Sequence, residues 1–354
     1  MKRFILESIK KLYRQYRLTR LRKYALITEG ANLSAIKLEP LTKDEKVLLK
    51  QQWGRLGLNI YEDIFKLYKT INKFDARYLS DDLYYPYILR KLNPQEFCVA
   101  MCHKAFYEKF FPGATQPTTY AKRIRGVFYD QANNVISEED AKDIVVKVQS
   151  FIIKPTTDTC VGKNVHKITD PATSNLSELF SRVGQDFIIQ EVVEQSTQAA
   201  ELNPSSLNTI RISTLYLNGK FSVCSIVVKM GRDGSCVDNL GAGGLIIGVH
   251  NDGKLYDFAY DNKYNKYFQN GDCIFKGKQI DGIDKAIKFV ERLHTSHLPH
   301  LSFVGWDIAI NKYNEPVLIE ANLKWPGIHF EQLCSGLPLF GDRTDEVIDY
   351  CING

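Results

Sequence analysis

Long apolar runs are missing from this sequence. No stretch approaches the roughly 18 residues needed to cross a bilayer, and the apolar Phe4–Leu6 patch is cut short by Glu7 before it could serve as a signal core. Neither membrane spanning nor secretion is expected, and a cytoplasmic location is. Internal repeats and low-complexity linkers are absent too, and the composition excludes disorder, collagen and coiled coil. Cysteine is sparse: eight residues (98, 102, 160, 224, 236, 273, 334 and 351) in 354 cannot build a dense disulfide framework and read as reduced thiols. Cys98, Cys102 and His103 lack the second ligand pair that zinc needs, so they read as small residues of a helix. His294, His297 and His300 recur at three-residue intervals, but Ser296 and Pro299 argue for a loop there between a helix and a strand.

What is present is the composition of an ordinary globular protein, 44% hydrophobic and 25% charged, long enough for two or three domains. The net charge of +5 is unevenly placed. Residues 1–25 carry nine bases and one acid, leaving 37 bases and 40 acids for the rest. A nearly neutral body disfavours a nucleic-acid groove. In the basic segment, Ile5, Leu6, Ile9, Leu12, Tyr13 and Tyr16 share one helical face, opposite Arg3, Lys10, Lys11, Arg14 and Arg17. This face suits either packing on the body or peripheral contact with an anionic membrane.

The pattern divides into a helical N-terminal region at 1–95, a small mixed unit at 96–195 and a strand-dominated unit at 196–354. Thr42 and Glu45 form a capping box at a helix start. A helix over 96–111 precedes a strand at Val127–Asp130, a helix over 138–148, and a buried strand, Phe151–Pro155, that contains Lys154. A strand over 187–193 closes the small unit. Strands at 209–217, 221–230, 245–249, 303–310 and 316–321 follow, interrupted by one helix at 283–293.

The segment 301–322 is the most informative. Two apolar strands flank a polar turn, and a turn centred on Tyr313 and Asn314 sets Asp307 opposite Glu320. Like charges facing each other across strands destabilise the pair, so something must neutralise them. Asn322 shares the face of Glu320 and adds a neutral oxygen. Two carboxylates and an amide oxygen form a site for a hard cation such as Mg2+ that also takes phosphate oxygens. Lys154, followed by a polar loop with Gly162, suits a phosphate, although Thr157 and Asn164 break the Walker pattern.

In order along the chain, Lys104, Lys154, the strand end Gln190-Glu191-Val192-Val193, Arg211, and the Asp307, Glu320, Asn322 set resemble the ATP-grasp superfamily. Within it, Asn208–Thr214, Val237-Asp-Asn with Gly241 to Gly244, and Val304-Gly-Trp-Asp-Ile-Ala resemble the sugar-transfer-associated family found with surface-polysaccharide genes. The resemblance covers about residues 96–335. It implies an α+β fold in which two lobes sandwich ATP. It further implies that Lys104 and Lys154 bind ATP phosphates under the Gly162 loop, and that Glu191 and Val193 offer hinge backbone to adenine with Glu194 near the ribose. Asp307, Glu320 and Asn322 would hold Mg2+. Arg211, with Lys154, would steady the transferring phosphoryl group. Two features depart from relatives: the ribose register near Glu194-Gln195-Ser196 is ambiguous, and the helical N-terminus replaces a βα domain.

Five glycines between Met230 and Leu245, with Asp238 and Asn239 among them, suit a flap over the acceptor. Lys324-Trp325-Pro326-Gly327 leads toward a short helix and would suit an anionic acceptor group. The expected function is ATP-dependent ligation of a carboxylate to an amine through an acyl-phosphate, on a small-molecule or glycan acceptor. Phosphoryl transfer to an alcohol or glycan is the alternative enzyme, and a nucleotide-binding scaffold the alternative of another class.

Overall fold

The computed structural model describes residues 12–13, 15–26, 33, 36–157, 164–232, 234–235 and 237–353. Gly162 and the apolar residues Ile5, Leu6 and Ile9 lie outside them. No helix among the described residues is long and apolar enough to cross a membrane.

The small lobe is a six-stranded antiparallel sheet: β1 (Thr119–Ile124), β2 (Val127–Asp130), β3 (Val135–Ile136), β4 (Phe151–Pro155), β5 (His166–Ile168) and β6 (Phe187–Gln190), in the order β3-β2-β1-β6-β4-β5. Arg125 and Gly126, both at positive φ, make the two-residue turn whose twist matches the β1–β2 hairpin. Helices Glu138–Val145 and Leu176–Val183 cover this sheet, and their core with Phe128, Phe151, Ile153 and Phe187 is self-contained. β1, β3 and β5 were not anticipated, and β6 stops at Gln190, short of the strand expected to reach Val193.

The large lobe is an antiparallel sheet of β7 (Thr209–Leu217), β8 (Lys220–Met230), β9 (Leu245–Val249), β10 (Leu255–Tyr260), β11 (Lys266–Tyr267), β14 (Phe303–Ile310) and β15 (Pro316–Asn322), with the small ribbon β12 (Gln269–Asn270) and β13 (Cys273–Ile274) beside it. Its order is β11-β10-β9-β8-β7-β14-β15, which puts β14 between β7 and β15. Alternation along β14 and β7 explains the two faces. Val304, Trp306, Ile308, Ile210 and Ile212 enter the core under helix Ile283–His297. The opposite face meets helix His329–Ser335, the C-terminal helix Thr344–Asn353 and the N-terminal helices, through Trp53, Tyr68, Tyr84, Leu215 and Phe303. Cys98, Tyr107 and Phe111 pack into the first of these cores, so the chain between the N-terminal helices and the small lobe lies on the large lobe.

The Thr42–Glu45 capping box is present. Two helical expectations need correction. The helix at 96–111 is broken: Gln95–Met101 ends at Cys102, and short turns at Lys104–Phe106 and Tyr107–Phe110 follow. The helix beginning at Ile283 runs on through His294 to His297, because Pro299 acts only beyond the Leu298 cap. His294 is therefore no loop residue. It is fully buried, 2.7 Å from Thr214 Oγ1 through Nδ1 and 2.8 Å from the Leu301 carbonyl through Nε2.

Candidate active site

Asp307 pairs in register with Arg211 on β7 and with Glu320 on β15. Antiparallel pairing thus lays Arg211, Asp307 and Glu320 side by side on one sheet face, across three adjacent strands. The pairing of Asp307 with Glu320 is the one the hairpin argument required, but the register does not hold along the whole hairpin. Ile308 pairs with Leu318, so Ile319 is an extra residue, a β-bulge beside the site. Leu318 therefore enters the core, and Ile319 faces the cavity wall.

The carboxylates are neutralised by cations of the chain itself. Arg211 donates to Asp307 through Nε at 2.8 Å and Nη2 at 3.0 Å, and Lys229 Nζ lies 3.0 Å from Asp307 Oδ1. Lys104 Nζ donates to Glu320 Oε1 at 2.6 Å. Burial alone would raise the Asp307 carboxyl, but Arg211 and Lys229 outweigh it and hold the group well below the usual carboxylate range. Burial likewise opposes the Arg211 charge, and Asp307 and then Glu331 hold the guanidinium above its ordinary value. Burial, with the Lys104 charge adding to it, pushes Lys154 down to about 8.

Arg211 has its place because Gly305 lacks a side chain. A Cβ at Gly305 would come within 3.3 Å of Arg211 Cδ, 3.4 Å of its Nη1 and 3.1 Å of Pro326 Cβ. On the far side of the guanidinium, buried Glu331 sits with Oε1 3.7 Å from Arg211 Nη1 and accepts a hydrogen bond from Ser225 Oγ. Burial raises the Glu331 carboxyl and Arg211 counters that. Glu331 and Lys229 were not singled out in the sequence. Neither belongs to a motif, and only sheet register and helix packing bring them to Asp307.

Arg211, Lys229, Asp307 and Glu320 line a cavity of about 640 Å3 between the lobes. Lys104, Lys154, Glu191, Val193, Glu194, Arg211, Asp238, Asn239, Asp307, Glu320, Asn322 and Lys324 all border it. Gly162 alone of the expected site residues lies outside the described residues. Details differ from the expectation at four places. Glu191 N–H is already given to Thr118 O at 2.9 Å, which leaves its carbonyl for a hinge contact. The Glu194 carboxylate is exposed and lies 2.8 Å from Lys312 Nζ. The glycine-rich loop is anchored: Asp238 accepts from Thr209 N at 3.1 Å and from Thr209 Oγ1, and added Cβ atoms at Gly231 and Gly244 would meet backbone oxygens within 3.0 Å. The helix after Lys324 has only seven residues, with Glu331 in its first turn, so it is no anion site by its N-terminus.

The donor set suits a hard divalent cation: two carboxylates in register and the Asn322 amide, whose Nδ2 donates to Asp307 Oδ2 at 3.1 Å. No group of three or more His, Cys, Asp or Glu gathers among the described residues, so such a metal would also need oxygens from elsewhere. Substrate phosphates supply them in sites of this kind.

A family model described as sugar-transfer associated ATP-grasp matches residues 142–347, more than half of the chain. The chain belongs to this family. Within this ATP-grasp fold, the matched residues take in β4, β6 and the whole large-lobe sheet, whereas Lys104 and the N-terminal helices lie ahead of them. No curated protein matches the sequence. Among solved structures, the D-cycloserine synthetase DcsG is 12% identical, with 72% of this chain and 73% of that one covered and a TM-score of 0.43. D-alanyl-alanine synthetase A from Vibrio cholerae is 12% identical, covering 72% of this chain and 64% of that one at a TM-score of 0.41. The biotin carboxylase domain of Hydrogenobacter thermophilus 2-oxoglutarate carboxylase is 11% identical, covering 73% and 47% at a TM-score of 0.46.

Proposed function

We propose that this ATP-grasp protein is an ADP-forming ligase that uses ATP and Mg2+ to join a carboxylate to an amine, acting on a surface polysaccharide or its precursor. The observation that carries the reading is the row Arg211–Asp307–Glu320, flanked by Lys104 and Lys229, at a cavity that Lys154 also borders. Lys104 and Lys154 would bind the phosphates, with Glu191 and Val193 as hinge backbone for adenine and Glu194 or a neighbour near the ribose. Asp307, Glu320 and Asn322 would hold the metal, which supplies charge neutralisation and orientation of the transferring phosphoryl group. A carboxylate oxygen of the substrate attacks the γ-phosphorus and ADP leaves. The amine nitrogen then attacks the acyl carbon, phosphate leaves, and the amine loses a proton to solvent. Arg211, with a bidentate fork and no ability to lose its charge, suits both the γ-phosphoryl group and the acyl-phosphate. Asp238, Asn239 and Lys324 would face the acceptor.

Mg-ATP is expected to raise the thermal midpoint of the full chain, and Asp307→Ala or Glu320→Ala to remove that rise. An undiminished rise in both variants would overturn the metal assignment. Release of free phosphate with a hydroxamate formed in hydroxylamine marks ligation. Phosphate retained on the acceptor would instead mark a kinase.

We also infer that residues 1–25 contact an anionic membrane surface. Leu12, Tyr13 and Tyr16 are 67%, 61% and 58% exposed, while Arg22 ties the helical segment to the body through buried Asp82 at 2.8 Å. Exposed Leu12, Tyr13 and Tyr16 beside exposed Arg17 and Arg20 suit lipid better than packing on the protein.

A further inference from the structure

The three tryptophans of the chain are used in two ways. Trp53 and Trp306 are completely buried, each with its indole N–H given to a partner, the Ala76 carbonyl and Thr214 Oγ1. Trp325 is 46% exposed and borders the cavity. A large aromatic left half in water at a cavity wall forgoes much of its burial free energy, and such rings in pockets are commonly ligand surfaces.

Its neighbours fix where along the cavity it stands. The chain from Asn322 to Trp325 is three residues long, and Pro326 lies over Gly305 beside Arg211, since the Gly305 Cβ position is 3.1 Å from Pro326 Cβ and 3.4 Å from Arg211 Nη1. Trp325 therefore belongs to the phosphoryl-transfer end, away from the Glu191–Val193 hinge. The ring is braced by Tyr85, whose centroid lies 5.5 Å away at an interplanar angle of 55°. That tilt leaves the two rings unstacked, so Tyr85 supports Trp325 without covering its face as a parallel partner would. Tyr85 comes from the π-helical turn Tyr84–Ile88, which holds Tyr84 in the core against Phe303 of β14 and turns the next residue toward the site. The helical N-terminal region thus braces this wall from behind through Tyr85.

We propose that Trp325, braced by Tyr85, is a stacking platform for a pyranose ring of the acceptor, so that the partner activated or joined at Arg211 carries its sugar at the transfer end of the cavity. This deepens the ligase reading and rests on it. A pyranose offers a flat face of C–H groups to an indole and hydroxyls at its edge to polar side chains. Lys324, adjacent in sequence and also on the cavity, would meet an anionic substituent on that ring. A nucleobase would also stack, but the hinge that would read one lies at the other end.

Because Trp53 and Trp306 are buried, the change in tryptophan emission on titration reports Trp325. The probes are free hexoses, hexosamines and hexuronates, added to the full chain saturated with ADP and Mg2+. At least one class is expected to shift the emission with saturation, Trp325→Ala to weaken its binding at least about tenfold as read by ligand-observed NMR, and Trp325→Phe to retain most of it. Tyr85→Leu is expected to weaken it several-fold. The nucleotide-induced thermal shift should be the same in all four proteins. No response to any sugar class, or equal sugar binding by Trp325→Ala, overturns the platform. A sugar response without any nucleotide-induced thermal shift would overturn the ATP reading and leave the platform standing.

Discussion

Lys154 offers the sharpest quantitative test of the proposed nucleotide site. Its ammonium is pushed down to about 8 by burial and by the neighbouring Lys104 charge. A triphosphate beside it would return it toward the ordinary lysine value of about 10.4, so nucleotide binding and protonation are linked. Below about pH 7 the free protein already carries the proton, and binding takes up almost none. At pH 9, one unit above the free value, only about one lysine in ten is charged before binding, and nearly all are after it. The dissociation constant for ATP should therefore weaken about tenfold between pH 7 and pH 9, roughly 1.4 kcal/mol, with close to one proton taken up per nucleotide at the upper end. Titration calorimetry at fixed Mg2+ and ionic strength, in two buffers of different ionisation heat, measures both quantities. Lys154→Arg keeps its charge throughout and should flatten the profile. A change of less than about twofold in the wild-type protein, or an equal slope in Lys154→Arg, would refute the argument.

Three further outcomes follow from the same structure. Gly305→Ala places a methyl group 3.1 Å from Pro326 and 3.3 Å from Arg211 Cδ, so adenosine triphosphate turnover should fall at least about tenfold while the fold survives at a cost of about 1–3 kcal/mol; wild-type turnover in this variant would dissociate Arg211 from the reaction. His294 is pushed down to about 4 by burial, so the unfolded chain gains a proton before the folded one as the pH falls. Stability should drop as the pH is lowered from about 6.5 toward 4, by roughly 3 kcal/mol for this group, and chemical denaturation of His294→Gln should show a correspondingly flatter profile. Replacing Leu12, Tyr13 and Tyr16 together by serine should abolish flotation with anionic vesicles without altering the thermal midpoint, because all three are exposed; truncation is a poorer test, since it strips Arg22 from buried Asp82.

The carboxylate pair was legible because a hairpin has a fixed period and a short turn, so Asp307 and Glu320 could be set opposite each other from spacing alone. The bulge at Ile319 was not, since an extra residue on one strand leaves the apolar pattern 316–321 nearly unchanged. Apolar runs likewise located β7, β8, β9 and β14, most of whose residues are buried. The strands between Leu255 and Ile274 were missed: they are short, partly exposed and interrupted by Asp261 and Gly271, which read as loop. The helix through His294 was cut short because Ser296 and Pro299 were weighed as breakers. The proline lies past the end of the helix, and the buried bond of His294 to Thr214 supplies what local propensity does not. Glu331, Lys229 and Tyr85 had no local signal at all, because their meaning depends on residues 78 to 240 positions away in the sequence.

Carboxylates opposed on neighbouring strands need neutralising, and cationic side chains of the protein supply that here. Asp307 is held by two cations and Glu320 by one, so the row is close to electrically balanced before any ligand arrives. Lys104 has a further role in that balance. Its backbone N–H is given to Thr156 O of the small lobe at 3.0 Å, while its side chain reaches Glu320 of the large lobe at 2.6 Å. The segment that bears it packs on the large-lobe core through Tyr107, whose hydroxyl accepts from Ala321 N at 3.0 Å, one residue from Glu320. Lys104 is thus a covalently short bridge between the strand that carries Lys154 and the strand that carries Glu320. Removing its charge with Lys104→Met would strip Glu320 of its partner and leave the backbone bridge in place. That variant therefore separates the charge of Lys104 from its structural role: a protein of unchanged thermal midpoint with lost Mg-ATP stabilisation would assign the lysine to the nucleotide, and a lowered midpoint with normal stabilisation would assign it to joining the lobes.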